Sequence, residues 1–236
     1  MDLADREFNG QDFRDHDLTR LRTERVVFVE CDFSGANLAE SEHKASAFRN
    51  CLFRRTTLWH SVFRQCSLLG SVFTECRLRP LTLDEVDFTL AVLGGCDLRD
   101  VDLSGCRLRE TSLVEVDMRK AVLTGADLRG ARTIGARLEE ADLRGAVADP
   151  SLWTTATLSG ARIDVAQALA YAGRAWPRHT RRVGRYAHTT GIRRVAGGES
   201  SLSTVVLPVD GGAGLSGVSI VSGYVFGCRR AGRCGL

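Results

Sequence analysis

Eight cysteines and five histidines are the side chains in this 236-residue chain best equipped for metal, redox or nucleophilic chemistry. Six of the cysteines, Cys31, Cys51, Cys66, Cys76, Cys96 and Cys106, are separated by multiples of five residues. None has a second Cys or His at the two-to-four-residue spacing a zinc site uses. His43 lies between Glu42 and Lys44, a set able to move protons. Gly212-x-Gly214-x-x-Gly217 has the spacing of a dinucleotide-binding turn, but the strand-like VSIVSGYVF follows it, with no room for a β-α-β unit. Nowhere do a nucleophile, a base and an orienting group come together. The sequence therefore predicts no catalytic residue, no metal and no cofactor.

The six cysteines and His43 sit on one five-residue lattice. A large apolar residue recurs every five positions from Phe8 to Ile163 without a slip. Of 32 such centres, 28 are Phe, Leu, Met, Trp or Ile, and the exceptions are Thr23, His43, Thr133 and Ala148. Two residues before each centre, from Val26 onward, stands Ala, Cys, Ser, Thr or Val, with Leu81 the one departure. The cysteines all occupy this small position, which assigns them to packing. A helix requires a period of 3.6 and an ordinary strand a period of two, so neither fits. A large centre beside a slim neighbour makes one side of a coil, and four sides make a coil of 20 residues. Cys31 would then stack on Cys51 and Cys76 on Cys96, with parallel Cβ directions that suit no disulfide. His43, a polar centre, is read as a slack, solvated coil near one end of the rod.

The aromatic centres support the coil length independently. Phe8, Phe28, Phe48 and Phe88 share one column, Phe13, Phe33, Phe53 and Phe73 the next, and a third column from 18 to 158 is Leu except for Met118. Like stacked on like fills the narrow interior of a solenoid. Phe33, Phe53, Phe73, Leu98 and Leu103 are expected in that core ladder. The fold expected is all-β: a four-sided parallel β-helix of about eight coils, each rising ~4.8 Å, roughly 38 Å long. Interruptions are expected at residues 20–27, at Ala148-Asp149-Pro150, and at Pro80, whose missing N–H predicts a local bulge or bend beside the bulky Leu81.

An open solenoid end leaves strand edges unpaired. Residues 164–173 answer this with a short helix, Asp164 as its N-cap, Gly173 at its stop, and Val165, Ala168, Leu169 and Ala172 on one face. The organisation expected is a β-helix over 1–163, a capping helix over 164–173 and a basic, disordered tail over 174–236. Cys228 and Cys234 lie in that tail without ligand partners. Trp153, Leu158, Ile163, Val165 and Leu169 make this end apolar enough for a two-fold contact between copies. A monomer with a helical plug is the other reading.

The formal charge of +3 averages two unlike segments: residues 1–172 hold 27 acidic and 22 basic residues, residues 173–236 hold 2 and 10. The rod is acidic and the tail basic, so the pI of about 8.5 describes the tail. No apolar run of membrane-spanning length occurs, and MDLADREFNG lacks a signal-peptide core, so a reducing cytoplasm with free thiols is expected. Duplex DNA carries one negative charge per ~1.7 Å, roughly 22 over the length of this rod. The 27 carboxylates of the rod are comparable in number, although no column is cleanly acidic. A solvated face of mixed charge stays open beside the DNA-like reading.

The steps ADLRG at 126–130 and 141–145, with CDFSG, ANLAE and CDLRD, resemble the consensus A(D/N)LXX of the pentapeptide-repeat family. FRNC, TTLWHSVF, CRLRPLTLDEVDFTLAVLGG and RLRETSLVEVDMRKAVL are similar to its mycobacterial fluoroquinolone-resistance branch and, more distantly, to the Qnr group, over about residues 1–172. That resemblance implies a right-handed quadrilateral β-helix, dimerised through its C-terminal end. It implies an acidic surface that imitates duplex DNA and binds DNA gyrase in competition with DNA, inhibiting supercoiling and limiting drug-stabilised breaks. Asp87, Asp97, Asp100, Asp102, Glu115, Asp117 and Asp127 are the outward acids expected to face gyrase, and the rod would bind neither nucleic acid nor membrane. A structural or adaptor rod serving another protein partner is the alternative. Members of that branch stop shortly after the terminal helix, so the basic tail is a departure.

Overall fold

The computed structural model describes residues 1–175 and the strands Thr204–Val206 and Ser219–Val221. The backbone coils so that its sides pair in parallel with the chain 20 residues on, from Asp2↔Arg22 at one end to Asp142↔Arg162 at the other, with a break beside Pro80. In the N-terminal half the pairing segments are three-residue strands. Asp2–Ala4, Arg22–Glu24, Glu42–Lys44, Val62–Arg64 and Thr82–Asp84 form one parallel sheet. Later coils continue as single bridges such as Asp97↔Asp117 and Asp117↔Arg137. This is the parallel β-solenoid that the five-residue lattice predicts.

Corners are turned by residues with positive φ, which recur at five-residue spacing and in 19 cases are not glycine. Left-handed backbone is unfavourable for a residue with a Cβ. Here the conformation aims each corner N–H along the rod at the next coil: Asp5 N donates to Glu24 O at 3.1 Å and Glu115 N to Ile134 O at 2.9 Å. Gly35 and Gly70 serve a second need, because a Cβ there would collide with the side chains of Asp15 and Asn50. Where the next coil gives out, aspartates replace its carbonyls. Gly130 N–H donates to Asp149 Oδ2 at 2.8 Å and Gly145 N–H to Asp164 Oδ2 at 3.1 Å.

The centres fill the lumen, with Phe33, Phe53, Phe73, Leu98 and Leu103 all buried. Phenylalanines stack along the axis, Phe28 on Phe48 at 4.8 Å and Phe53 on Phe73 at 4.7 Å, which is the spacing of paired strands. Between columns they meet edge to face, as Phe28 and Phe33 do at 77°, the arrangement ring quadrupoles favour. The void left among Leu58, Phe63, Phe73, Leu83 and Leu103 is about 10 Å³, scarcely a single water.

The small position has a second duty. Cys51 Sγ donates to Phe28 O, Ser71 Oγ to Phe48 O and Thr111 Oγ1 to Phe88 O, in each case the carbonyl of a centre one coil earlier. Cys, Ser and Thr therefore exchange there because each offers a donor of the right reach. The six cysteines of the rod are free. Burial pushes the thiols of Cys51 and Cys96 up to about 12, so neither is a thiolate near neutral pH.

His43 departs from the expectation of a slack, solvated coil, being 2% exposed. Its Nδ1 lies 2.8 Å from Thr23 Oγ1 and its Nε2 2.9 Å from Ser41 Oγ. Thr23 also reaches Ser46, and Ser41 reaches Ser61, so a satisfied polar chain replaces the missing apolar centre. Desolvation lowers the His43 pKa to about 3, and the ring is neutral.

At Pro80 the peptide bond from Arg79 is cis, and the expected distortion falls on the side of the following coil, where the ladder lacks the bridges that would join Arg77 to Asp97 and Thr82 to Asp102. His60 N donates to Pro80 O at 2.7 Å and Thr82 N to Ser61 O at 3.0 Å, while Leu81, too large for the small position, is only partly buried. Residues 20–27 hold the lattice with Leu21 and Val26 buried. After Pro150 one coil side becomes a helical turn, Leu152–Thr155, with Trp153 turned inward.

The terminal helix runs Val165–Ala175. Asp164 and Gln167 cap it reciprocally: Gln167 N donates to Asp164 Oδ1 at 2.8 Å, and Asp164 N to Gln167 Oε1 at 2.9 Å. The Gln167 amide also donates to Leu143 O and Ala146 O, tying the helix to the coil before it. Beyond the helix, Thr204–Val206 pairs antiparallel with Arg162–Asp164 on one side and Ser219–Val221 on the other. The expected disorder of the rest of the tail, Gly212–Gly217, Cys228 and Cys234 lie outside the described residues.

Candidate protein-binding surface

The residue before each centre points outward, which places Asp97, Asp117 and Asp127 on the flanks of the rod. Each is followed two residues later by an arginine, and the spacing brings the two side chains together. Asp97 Oδ1 accepts from Arg99 N at 3.1 Å and Nε at 2.9 Å, and Asp97 Oδ2 from Arg99 Nη2 at 2.6 Å. The same forked pair recurs at Asp117–Arg119 and Asp127–Arg129, and also at Asp12–Arg14 and Asp142–Arg144. Arginines one coil away add weaker contacts, Arg99 and Arg137 to Asp117 and Arg109 to Asp127, at 3.7 to 3.8 Å. Hydrogen bonds from their own arginines hold the carboxyls of Asp97, Asp117 and Asp127 below the usual carboxylate range. These acids are ionised, but each is matched by a guanidinium.

The other four expected acids differ. Asp100 pairs with Arg79 at 2.9 Å, and Asp87 is 3.7 Å from Arg107. Among the described residues no ion pair reaches Asp102 or Glu115, and Asp102 Oδ1 instead accepts from Ser104 N at 2.9 Å. Asp102 belongs to a flank that charge counting alone passed over. Along the column centred on 83, 103 and 123, the outward positions carry Asp84, Glu85 and Asp102 and no Lys or Arg between Arg64 and Arg144. The whole column is not cleanly acidic, since Arg22, Arg25, Lys44, Arg64 and Arg144 also belong to it; the signal was this stretch within it.

The residues expected at a contact between copies divide likewise. Trp153, Leu158 and Ile163 are buried inside the final coils, because they are lattice centres, whereas Val165 and Leu169 on the terminal helix are 42% and 69% exposed. Leu90, Val92 and Ile134 are also exposed, Val92 and Ile134 beside centres of one column. A shallow groove of about 470 Å³ runs between Trp59, Arg77, Arg79 and Asp97. Among the described residues no His, Cys, Asp and Glu cluster is arranged for a metal ion, and no helix is long and apolar enough to cross a membrane.

The family profile of pentapeptide repeats matches residues 46–79, 87–125 and 121–149, in eight copies. Over those residues this chain carries pentapeptide repeats. It is 73% identical over 101 residues to pentapeptide repeat protein MfpA of Mycobacterium tuberculosis, a match spanning 43% of this chain and 55% of that protein. To MfpA of Mycolicibacterium smegmatis it is 74% identical over 58 residues, 25% of this chain and 30% of the relative. The chain thus matches about half the length of the first relative. Among solved structures, full-length QnrB1, a plasmid-mediated fluoroquinolone resistance protein, superposes with a TM-score of 0.55 at 18% identity, over 75% of this chain and 100% of QnrB1. At that identity the likeness concerns the fold. In a pentapeptide-repeat rod with so little space in its lumen, function falls to the outward positions of the lattice.

Proposed function

We propose that this protein binds DNA gyrase on the surface that enzyme offers to duplex DNA, inhibits supercoiling and protects the enzyme from fluoroquinolones. The likeness to MfpA, 73% over 101 residues, carries the reading. The flank bearing Asp84, Glu85 and Asp102 supports it, since it offers carboxylates to a cationic groove with no Lys or Arg of its own among them. Carboxylates gathered on one flank favour a complementary cationic surface. Asp97, Asp117 and Asp127 bring ion pairs instead of net charge and shape the contact more than its field. The rod works in the cytoplasm as a surface, without cofactor or chemical step.

The test is supercoiling by purified mycobacterial gyrase on relaxed plasmid, with this protein titrated in, with and without a fluoroquinolone. Inhibition, fewer drug-induced breaks and weakening by salt are expected. Asp84→Lys/Asp102→Lys should abolish inhibition with the circular dichroism unchanged, and Asp117→Lys should weaken it less. A double reversal that inhibits like the wild type refutes the choice of flank. A wild type without effect on gyrase refutes the reading and favours an adaptor rod, for which the exposed Leu90, Val92 and Ile134 would be the contact.

A further inference from the structure

We infer that Arg79 is a positioning residue for the proposed gyrase contact: it latches the rod where the ladder is broken, and so fixes the distance between Asp84 and Glu85 on one coil and Asp102 on the next. The inference rests on the gyrase reading, because those three acids form the flank assigned to that contact. At the corner between these two sides of the rod, a backbone N–H normally donates to the following coil, as Glu40 N does to Trp59 O at 2.8 Å and Asp100 N to Arg119 O at 3.0 Å. Pro80 holds the same corner one coil before Asp100 and has no N–H to give. On both sides of it the ladder is open. No bridge joins Arg77 to Asp97 or Thr82 to Asp102, and among the described residues no backbone bond crosses this gap from Leu78 N, Leu83 N, Asp97 N or Asp102 N.

The other two sides of the same pair of coils are closed. Phe88 N donates to Arg107 O at 2.7 Å and Arg107 N to Val86 O at 3.0 Å, while Leu93 N donates to Ser112 O at 2.9 Å and Ser112 N to Ala91 O at 2.8 Å. Two coils joined along two adjacent sides and unjoined along the others open like a hinge. Grooves of about 470 and 340 Å³ lie along the open sides, and Arg79 lines both. Its guanidinium crosses the gap to two acids of the following coil, with Nη1 3.3 Å from Asp97 Oδ2 and Nη2 2.9 Å from Asp100 Oδ2. The side chain is 31% exposed, so these pairs are only partly screened by water.

Where the ladder is intact, backbone pairing spaces outward residues of successive coils at ~4.8 Å. Across the break that constraint is missing, and Thr82–Asp84 and Asp102 stand on opposite lips. Asp84 and Glu85 therefore keep their distance from Asp102 only while Arg79 holds the lips together. A latch and a simple charge predict opposite effects. Arg79 is a cation beside an acidic flank, so if that flank acted through its field alone, removing Arg79 would strengthen the hold on a cationic groove. If Arg79 sets the spacing, its removal weakens that hold.

The experiment uses the full-length chain with Arg79→Ala and Arg79→Lys. Cys96, buried beside Asp97 on one lip of the gap, is a native reporter of opening, and Cys51, buried in a coil whose ladder is intact, is its control. Both are alkylated with iodoacetamide in the folded protein and followed residue by residue by peptide mass. Arg79→Ala should label Cys96 about tenfold faster than the wild type, the effect of losing a charge-assisted bond or two, with Cys51 unchanged. Raising salt from about 0.05 to 1 M should speed Cys96 in the wild type with no substitution at all. In the supercoiling assay Arg79→Ala should inhibit about tenfold less potently than the wild type, and Arg79→Lys, which keeps the charge without the fork, should fall between them. Equal labelling of Cys96 in the wild type and Arg79→Ala overturns the latch. If Cys51 speeds up as well, the variant has unfolded, and the salt response of the wild type decides in its place. An Arg79→Ala protein that inhibits as well as the wild type or better overturns the positioning role and leaves the gyrase reading standing. A wild type without effect on gyrase refutes that reading and the positioning role with it, whatever the thiols show.

Discussion

Replacing His43 with Phe should remove a specific part of the pH dependence of stability. The buried ring has a pKa of about 3, caused by desolvation, against about 6.5 in an unfolded chain. Between those values the unfolded state binds a proton that the folded state refuses. Stability from this group is therefore complete above pH 6.5 and declines as pH falls toward 3, by up to about 1.4 kcal/mol per pH unit. From pH 7 to pH 4.5 the loss is about 2–3 kcal/mol, a large share of the 5–15 kcal/mol typical of a folded domain. Thr23, Ser41, Phe48 and Phe63 surround the ring, none of them charged, so the effect has no electrostatic offset nearby. Phe63 already fills the next position of the column, and in the variant Thr23 and Ser41 keep Ser46 and Ser61 as partners. The assay is urea unfolding of both proteins at intervals from pH 7 to 4.5. The gap between them should shift in favour of the variant by about 2–3 kcal/mol as pH falls. Parallel curves would refute the reasoning. The carboxylates held low by arginine interfere little, because their contribution is lost only below about pH 4.

Asp164→Ala removes the helix cap and the acceptor of Gly145 N–H together, and should lower stability by about 1–2 kcal/mol in urea unfolding; an unchanged midpoint would mean that Gln167 holds the helix alone. Phe53→Ala deletes a ring stacked between Phe33 and Phe73 and should cost about 3–5 kcal/mol, read as a lowered melting temperature, with less than ~1 kcal/mol contradicting the ladder. Cys51 and Cys96 should resist alkylation at pH 8 in the folded protein and react once it is unfolded; labelling at equal rates in both states would contradict their burial. Cys51→Ser should be tolerated, because Ser71 already makes the equivalent bond to the preceding coil, and a loss above ~2 kcal/mol would show that the thiol does more.

The fold was legible because a solenoid repeats its environment. Every fifth side chain meets the same lumen, so Phe33, Phe53 and Leu103 announce their burial by position, and the column of Phe13 to Phe73 announces the 20-residue coil. The terminal helix was legible in Asp164 and the apolar face behind it. His43 was misread because a polar centre looks like a fault when taken alone. Its partner Thr23 lies 20 residues before it, within reach only once the coil is closed, and Ser41 two residues before it. The tail strand was illegible for a related reason: Thr204–Val206 belongs to no repeat, and its place depends on an edge 40 residues earlier.

Charge shows most clearly what the lattice settles and a count does not. Residues 1–172 hold five more acidic than basic residues, 27 against 22, a modest excess if spread evenly. It is not spread evenly. Asp-x-Arg steps place a guanidinium on the same flank as the carboxylate, so the steps that most resemble the repeat consensus, such as those of Asp127 and Asp142, cancel their own charge. The field that another macromolecule meets must then come from steps without the arginine, such as Asp102-Leu103-Ser104, and from corners such as Glu85 and Glu115. A surface built to imitate a polyanion would be read from those departures, which is why reversing Asp84 and Asp102 tests the proposal more severely than reversing any aspartate of the consensus steps.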